Sequence, residues 1–300
     1  MVSLQAKVLG VLTATVLGAW TPAFAADAPV TKPCAIKIRT VMTADAPNAY
    51  PVALLQMALA KTEAEYGPCQ ITMMDGGTHS RNMRLVLQGE MDVIWNVATI
   101  EREKTLRPIL IPIFQGLHGY RILLIRAGDE ARFAKIKTLG ELRLLTGGQM
   151  HDWQSAEILA ENKIKFDTAD RFEDLFTMLV KGRFDYFPRA LHEPASELQQ
   201  RSSMPLKVEP TLMLHYVAPD YFFVRPDATA LAERIRLGFE RGIADGTRDA
   251  LREKMINVGR LVRQFQVSKR RVIELTNPTL PATVPLGRPE YWLDLKRFPE

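Results

Sequence analysis

The chain is poor in the groups on which most site chemistry depends. Its 300 residues include two cysteines and five histidines. The histidines, at positions 79, 118, 151, 192 and 215, never fall at a zinc spacing. His192-Glu193 begins like a metalloprotease helix, yet Ser196 stands where the second histidine would be needed. No metal site and no cofactor are expected. Covalent catalysis is no better supported, because there is no Gly-x-Ser-x-Gly elbow and the two cysteines read as a bonded pair. Clustered basic charge is lacking too, so no nucleic-acid footprint is expected.

Long apolar runs are equally scarce. The run at 8–19 covers twelve residues, short of the roughly twenty needed to span a bilayer. Lys7 precedes it and Ala23-Phe24-Ala25 follows, which is the pattern of a cleaved secretory signal over 1–25, cut after Ala25. Cys34 lies well past that cut, behind Val30-Thr31-Lys32-Pro33 rather than a lipobox, so lipid anchoring is not expected. Removing Lys7 takes the formal charge from +5 to +4. The remainder, 47% apolar over the whole chain, can fill one large domain or two of ordinary size.

What is present is an alternation of strand and helix patterns. Apolar runs at 34–41, 69–74, 91–95, 108–113, 120–125, 184–187 and 221–226 read as strands, and helical periodicity at 49–66, 80–88, 138–145, 152–161, 172–180, from 190 and from 231 falls between them. The pattern argues a mostly parallel α/β fold. Pro51 suits the first turn of its helix. Cys34 and Cys69 each open a strand; in adjacent parallel strands joined by a βαβ crossover they sit at the same end, where a structural disulfide closes. Residues from 264 onward are proline-rich and weakly periodic, and are expected to wrap over the surface.

Four segments in order carry a resemblance. Residues 87–102, Leu87-Gln88-Gly89-Glu90-Met91-Asp92 through Thr99-Ile100-Glu101-Arg102, resemble the "L-x-x-G-x-x-D" strand entry and following turn of family-3 extracellular solute-binding proteins. Thr138-Leu139-Gly140-Glu141-Leu142 is similar to their entry to the second lobe, and Leu179-Val180-Lys181-Gly182-Arg183-Phe184-Asp185 to that lobe's own "L-x-x-G-x-x-D". The run from Tyr221 to the Asp245-Gly246-Thr247 turn is similar to the return to the first lobe. The resemblance implies a two-lobed type-2 periplasmic binding fold, α/β, with two mixed sheets joined by a two-strand hinge near 115–119 and 214–219. Lobe 1 would be 26–117 and 217–265, lobe 2 118–216, and 266–300 a C-terminal extension packed on the surface. The chain departs from the family in its shorter Thr99-to-Arg102 turn and in this extension.

The resemblance also implies a ligand cleft that closes on its solute. Arg102 matches the family's carboxylate clamp, a role suited to a planar, permanently charged fork, with Asn96 and Thr99 beside it. The plain alternative is a helix-start arginine paired with Glu101 or Glu103. From lobe 2, His151 and Trp153 fall in the ligand loop after Gly147-Gly148, although Asp152 could simply cap the helix with Trp153 in the core. Tyr50 is a candidate aromatic wall or a staple of its own helix, and Tyr120 stands just past the hinge. The stretch GRFDYFPRALHE at 182–193 supplies Phe187, Arg189 and Glu193 at a strand's carboxyl end, Arg189 facing Arg102 across the cleft. The function implied is a periplasmic protein that captures a small polar or anionic, amino-acid-like solute without chemistry, as a monomer, for an ABC permease or a membrane sensor. The rival reading is a dehydratase-like enzyme using Glu193 or His151 as general acid.

Overall fold

The computed structural model describes residue 1 and residues 34–39, 46–75 and 78–298. The signal expected at 1–25 lies outside the described residues apart from Met1, and the described residues from Cys34 on form one compact unit. Among the described residues, no helix is long and apolar enough to cross a membrane.

The first sheet is built from β1 (Cys34–Arg39), α1 (Ala46–Ala60), α2 (Glu63–Tyr66), β2 (Cys69–Met74), α3 (His79–Leu87), β3 (Val93–Val97), α4 (Ile100–Thr105) and β4 (Arg107–Ile109). The chain then passes to β5 (Tyr120–Arg126), α5 (Glu130–Phe133), α6 (Leu139–Leu142), β6 (Thr146–Met150), α7 (Gln154–Glu161), β7 (Lys165–Ala169), α8 (Phe172–Val180), β8 (Phe187–Ala190), α9 (Pro194–Gln200), β9 (Leu206–Val208) and β10 (Leu212–His215). It returns through β11 (Asp220–Val224), α10 (Thr229–Ala244), α11 (Thr247–Met255) and α12 (Val258–Gln264), and continues to β12 (Arg271–Glu274). Strand order is β2-β1-β3-β11-β4 in one sheet and β12-β10-β5-β8 in the other, with β9 on β5 and a separate β6-β7 pair bridged to Tyr186. Pairing of β1 with β2 and β3 is parallel, while β11 runs antiparallel between β3 and β4.

The two Gly-x-x-Asp stretches, Gly89 to Asp92 and Gly182 to Asp185, do the same physical work in each half. Gly89 and Gly182 follow α3 and α8 with φ of 73° and 69°, the left-handed turn that stops a helix and that glycine adopts without a Cβ penalty. The aspartate then fastens the next segment to an earlier strand, β1 in the first half and β6 in the second. Asp92 accepts from Lys37 N at 2.7 Å while its own N–H reaches Lys37 O, and Asp185 accepts from Thr146 N at 2.8 Å while its N–H reaches Thr146 O. Both motifs are sheet-building devices.

Helix α1 is apolar nearly all round, and a helix without a polar face must be covered on every side. It begins at Ala46, so Pro51 lies inside the helix rather than in its first turn. Its outer side packs on α10 so closely that a Cβ on Gly238 would lie 2.0 Å from Ala58 O. Cys34 and Cys69 are register partners and form a disulfide. Arg234 of α10 sits over this corner, donating to Gly67 O, to Thr62 Oγ1 and, at 3.7 Å, toward Cys34 Sγ.

The C-terminal segment does more than lie over the surface. After α12 the chain re-enters the second sheet, where β12 runs parallel to β10. Arg270 anchors this passage by donating to the carbonyls of Phe265, Glu209 and Leu212. The chain then leaves again, and Tyr291 and Leu295 are buried in the core around α1. The two crossings expected at the hinge are therefore joined by two more. One apolar cluster also runs from the first sheet through Ile111, Ile113, Phe114 and Leu117 to Ile122, Leu191 and Met213 of the second.

Two stability measurements follow. Replacing both Cys34 and Cys69 with alanine, which opens a loop of sequence separation 35, is expected to lower the unfolding free energy in urea by about 4 kcal/mol. Gly238→Ala is expected to lower it by about 3 kcal/mol, because α1 and α10 must separate to admit the methyl group.

Candidate functional site

Arg189 and its neighbours lie inside lobe 2 rather than at a loop. The strand expected at 184–187 instead spans Phe187–Ala190, because that register pairs Leu124 to Arg121 of β5 with Phe187 to Ala190. Pro188 is tolerated because β8 ends the sheet's main path. Phe187 and Arg189 then share a face. Phe187 is fully buried, and the Arg189 guanidinium lies over the rings of Phe187, Trp153 and Phe172 at 4.9, 5.0 and 5.2 Å. Its Nε and Nη2 make a fork on Glu197 at 2.5–3.0 Å, and Glu193 Oε1 is 3.1 Å away. Burial opposes the guanidinium charge, but the Glu193 and Glu197 carboxylates outweigh it and hold the pKa above its ordinary value. An arginine so neutralised is a structural centre; the clamp expected from it across the cleft is not available in this arrangement.

The glycine pair is a packing device as well. A Cβ on Gly148 would lie 2.2 Å from the Phe184 ring and one on Gly147 3.3 Å from that of Tyr186. Strand β6 therefore needs glycine to accept the aromatics of GRFDYFPRALHE. Trp153 stands at the N-cap of α7, stacked 6.2 Å from Phe187. His151 is exposed, with Asp170 3.4 Å away. Tyr50 is fully buried in α1 against Phe114, so it forms core rather than an open wall. Tyr120 packs 4.4 Å from His215, which bonds Glu274 of β12.

Arg102 lies in the first turn of α4. Thr99 caps α4 by accepting from Arg102 N at 3.1 Å, Asn96 accepts from Val97 N at 2.9 Å, and Arg102 Nη1 donates to Val97 O. Neither Glu101 nor Glu103 pairs with it; Glu101 takes Lys104 and Glu103 takes Thr283. Its Nε is buried without a hydrogen-bond partner. Burial lowers its pKa, and the carboxylates of Asp220 and of Glu157 on α7 pull it back up. Arg102 therefore feels charge from both halves of the molecule.

Next to it lies a buried polar cluster that the sequence reading did not assemble. His118 Nδ1 is 3.0 Å from Asp220 Oδ2 without the alignment of a hydrogen bond, and His192 Nδ1 is also unsatisfied. The rings of His118 and His192 are 5.7 Å apart and both pack on Phe114. Arg121 donates to Tyr216 Oη at 2.7 Å and lies 3.8 Å from Glu193. Buried polar atoms without partners need an explanation, and here Asp220, His118 and His192 converge where the chain crosses between the sheets. Among the described residues no group of three or more His, Cys, Asp or Glu is placed to hold a metal ion. Two surface cavities of about 380 and 200 Å3, one beside Cys69 and one between Leu110 and Tyr291, are lined by none of these residues.

Burial, with help from His118 and Arg121, pushes the His192 pKa down to about 4 against the pull of Glu193 and Asp220. Burial raises that of Glu193, but Arg189, His118, Arg121 and His192 bring it to about 2. Both folded values are depressed, so the unfolded chain binds more protons and stability falls with falling pH. The His192 contribution is lost between pH 6.5 and 4 and that of Glu193 between 4.5 and 2. Urea unfolding should show a loss of roughly 3 kcal/mol from His192 across its window, and His192→Phe should flatten the curve between pH 6.5 and 4.5.

No known family profile matches the chain, and no curated relative does. Solved structures do. An ancestral arginine-binding protein bound to arginine is 18% identical with a TM-score of 0.55, over 74% of this chain and 97% of its own. A histidine kinase sensor domain similar to periplasmic binding proteins is 17% identical with a TM-score of 0.56, over 75% and 96%. A Salmonella typhimurium periplasmic binding protein of high arginine specificity is 13% identical with a TM-score of 0.54, over 75% and 100%. At these identities the likeness is one of architecture, and the chain has the two-lobed fold of the type-2 periplasmic binding proteins.

Proposed function

We propose that the protein is an exported solute-binding protein that holds a small polar solute bearing a carboxylate, amino-acid-like, between its two lobes. The observation that carries this reading is Arg102. It is largely buried, its Nε is unpartnered, and the carboxylates of Asp220 on β11 and Glu157 on α7 both act on it. A carboxylate docked on that fork would satisfy Nε, and charge-assisted bonds of this kind are the strong ones. Asp220, with an unsatisfied Oδ2, suits a cationic group on the same solute. Thr99 then positions Arg102 through the α4 cap, and Asn96, on β3 just before it, remains a candidate contact. Tyr120, Trp153 and His151 remain candidates for the lobe-2 side, while Arg189, Phe187 and Glu193 support that side from within. The disulfide and the signal-like N-terminus suit a periplasmic location.

The comparisons support this direction by architecture: two of the similar structures are arginine-binding by name and one is a sensor domain. Delivery to an ABC permease and docking on a membrane sensor both fit such a scaffold. An enzymatic role fits less well. Glu193, with its pKa near 2, is ionised at neutral pH and accepts from Ala190 N, so it has no proton to give as a general acid.

A thermal-shift screen of L-amino acids and small carboxylic acids, followed by calorimetry, tests the reading. Arg102→Ala is expected to weaken the best solute by about 10- to 100-fold, the worth of one charged hydrogen-bonding group. Asp220→Asn is expected to weaken amine-bearing solutes and spare those without an amine. Unchanged affinity in both variants overturns the site.

A further inference from the structure

The segment that follows β12 lies against both lobes at once. Asn162, at the end of α7, exchanges two hydrogen bonds with Thr276: its Nδ2 donates to Thr276 O at 2.8 Å and its Oδ1 accepts from Thr276 N at 3.0 Å. Gln154, at the start of α7, donates to Asn277 Oδ1 at 3.0 Å and to Thr279 Oγ1 at 2.5 Å. Asn277 also donates to Val217 O in the crossing between β10 and β11, at 2.8 Å. Toward the first lobe, Ile100 N donates to Thr279 O at 3.0 Å, and Thr283 Oγ1 donates to Glu103 on α4. Helices α4 and α7 belong to different sheets, and residues 276–283 tie them together.

We propose that residues 275–283 form a strap that holds the two lobes in one closed arrangement whether or not solute is present. Three constraints act together. A hinge of two crossing segments can bend by changing a few backbone angles, but here the passage from α12 to β12 and the strap itself are two further covalent ties. Arg270 fixes the first of these through three carbonyls. The apolar cluster shared between the sheets would have to be exposed on opening, which carries a cost in water-accessible apolar area. The strap bonds are the part of this set that can be released without unpacking the core, because Gln154, Asn277 and Thr279 are only partly buried. Solute exchange then requires their release, and Ile100, at the start of the helix bearing Arg102, feels that release directly. The inference deepens the solute-binding reading by describing how its site is gated, but it stands on the fold alone.

Distance measurements between spin labels test it with no solute added. Labels at Glu90→Cys and Lys181→Cys, both exposed and in different lobes, report the lobe separation in the full chain with its native disulfide intact. The expected result is one narrow distance population in the protein with an unaltered strap. A second, longer population should appear when Gln154→Ala, Asn277→Ala and Thr279→Val are combined. The Ile100 amide should exchange roughly tenfold faster in that variant. Gln154→Ala alone, with its thermal melt as a folding control, gives a smaller shift in the same direction if the triple variant does not fold. Two populations already present with the strap intact, or none gained and unchanged Ile100 exchange in folded variants, overturn the proposal. Neither readout depends on a solute, so its failure leaves the Arg102 assignment standing, and failure of that assignment leaves the strap standing.

Discussion

The rest of the structure depends on how the chain passes between its two sheets. A lobe that is entered and left once can be a nearly independent body. Here the second sheet receives β12 as a parallel partner of β10, so it is complete only after the first lobe's α10, α11 and α12 have been laid down. The apolar cluster that runs across the crossing follows from this. The buried polar cluster belongs to the other two passages, the first bringing His118 and the second Tyr216 and Asp220 into a space bounded by Phe114 and His192. Polar side chains enclosed in this way must pair with one another or with something bound, and several atoms here have no hydrogen-bond partner within the protein.

Charge is handled differently on the two sides of that crossing. In the second lobe Arg189 is matched by two carboxylates and three aromatic rings. Such a centre fixes a geometry, since removing one partner would leave a buried charge uncompensated. In the first lobe Arg102 is under-matched: one backbone carbonyl, one unsatisfied nitrogen and two carboxylates acting on it from a distance. The contrast separates an arginine matched on every side from one that keeps an unsatisfied donor, although both are substantially buried. It also explains why GRFDYFPRALHE looks like an active site in one dimension. The density of aromatics, charge and proline reflects packing around one guanidinium.

Much of the fold was legible because it rests on local rules. The β1-α1-β2 unit, the register of Cys34 with Cys69 and the two glycine-aspartate turns follow from periodicity and φ preference, and the structure has them where the residues say. Strand β8 was misplaced by three residues because Phe184 and Tyr186 are as apolar as any strand, and only the pairing with β5 decides which residues enter the ladder. The C-terminal segment was read as a surface wrap because Arg271-Val272-Ile273-Glu274 is too short to announce a strand among prolines. The closeness of Arg102, Asn96 and Thr99 follows from the turn they occupy. That of His118, Asp220 and Tyr216 does not, since they are brought together by passages distant in sequence and none carries a motif.

The disulfide has a consequence for the order of folding. Cys34 and Cys69 bracket the first unit of the chain, which is complete as a local structure long before the C-terminal half is made. Yet α1 has no polar face, and its outer side is covered only when Gly238 and its neighbours arrive. If the disulfide closes before α10 docks, the cross-linked unit still presents the outer side of α1 to water, and exposed apolar surface of that kind is where misassociation starts.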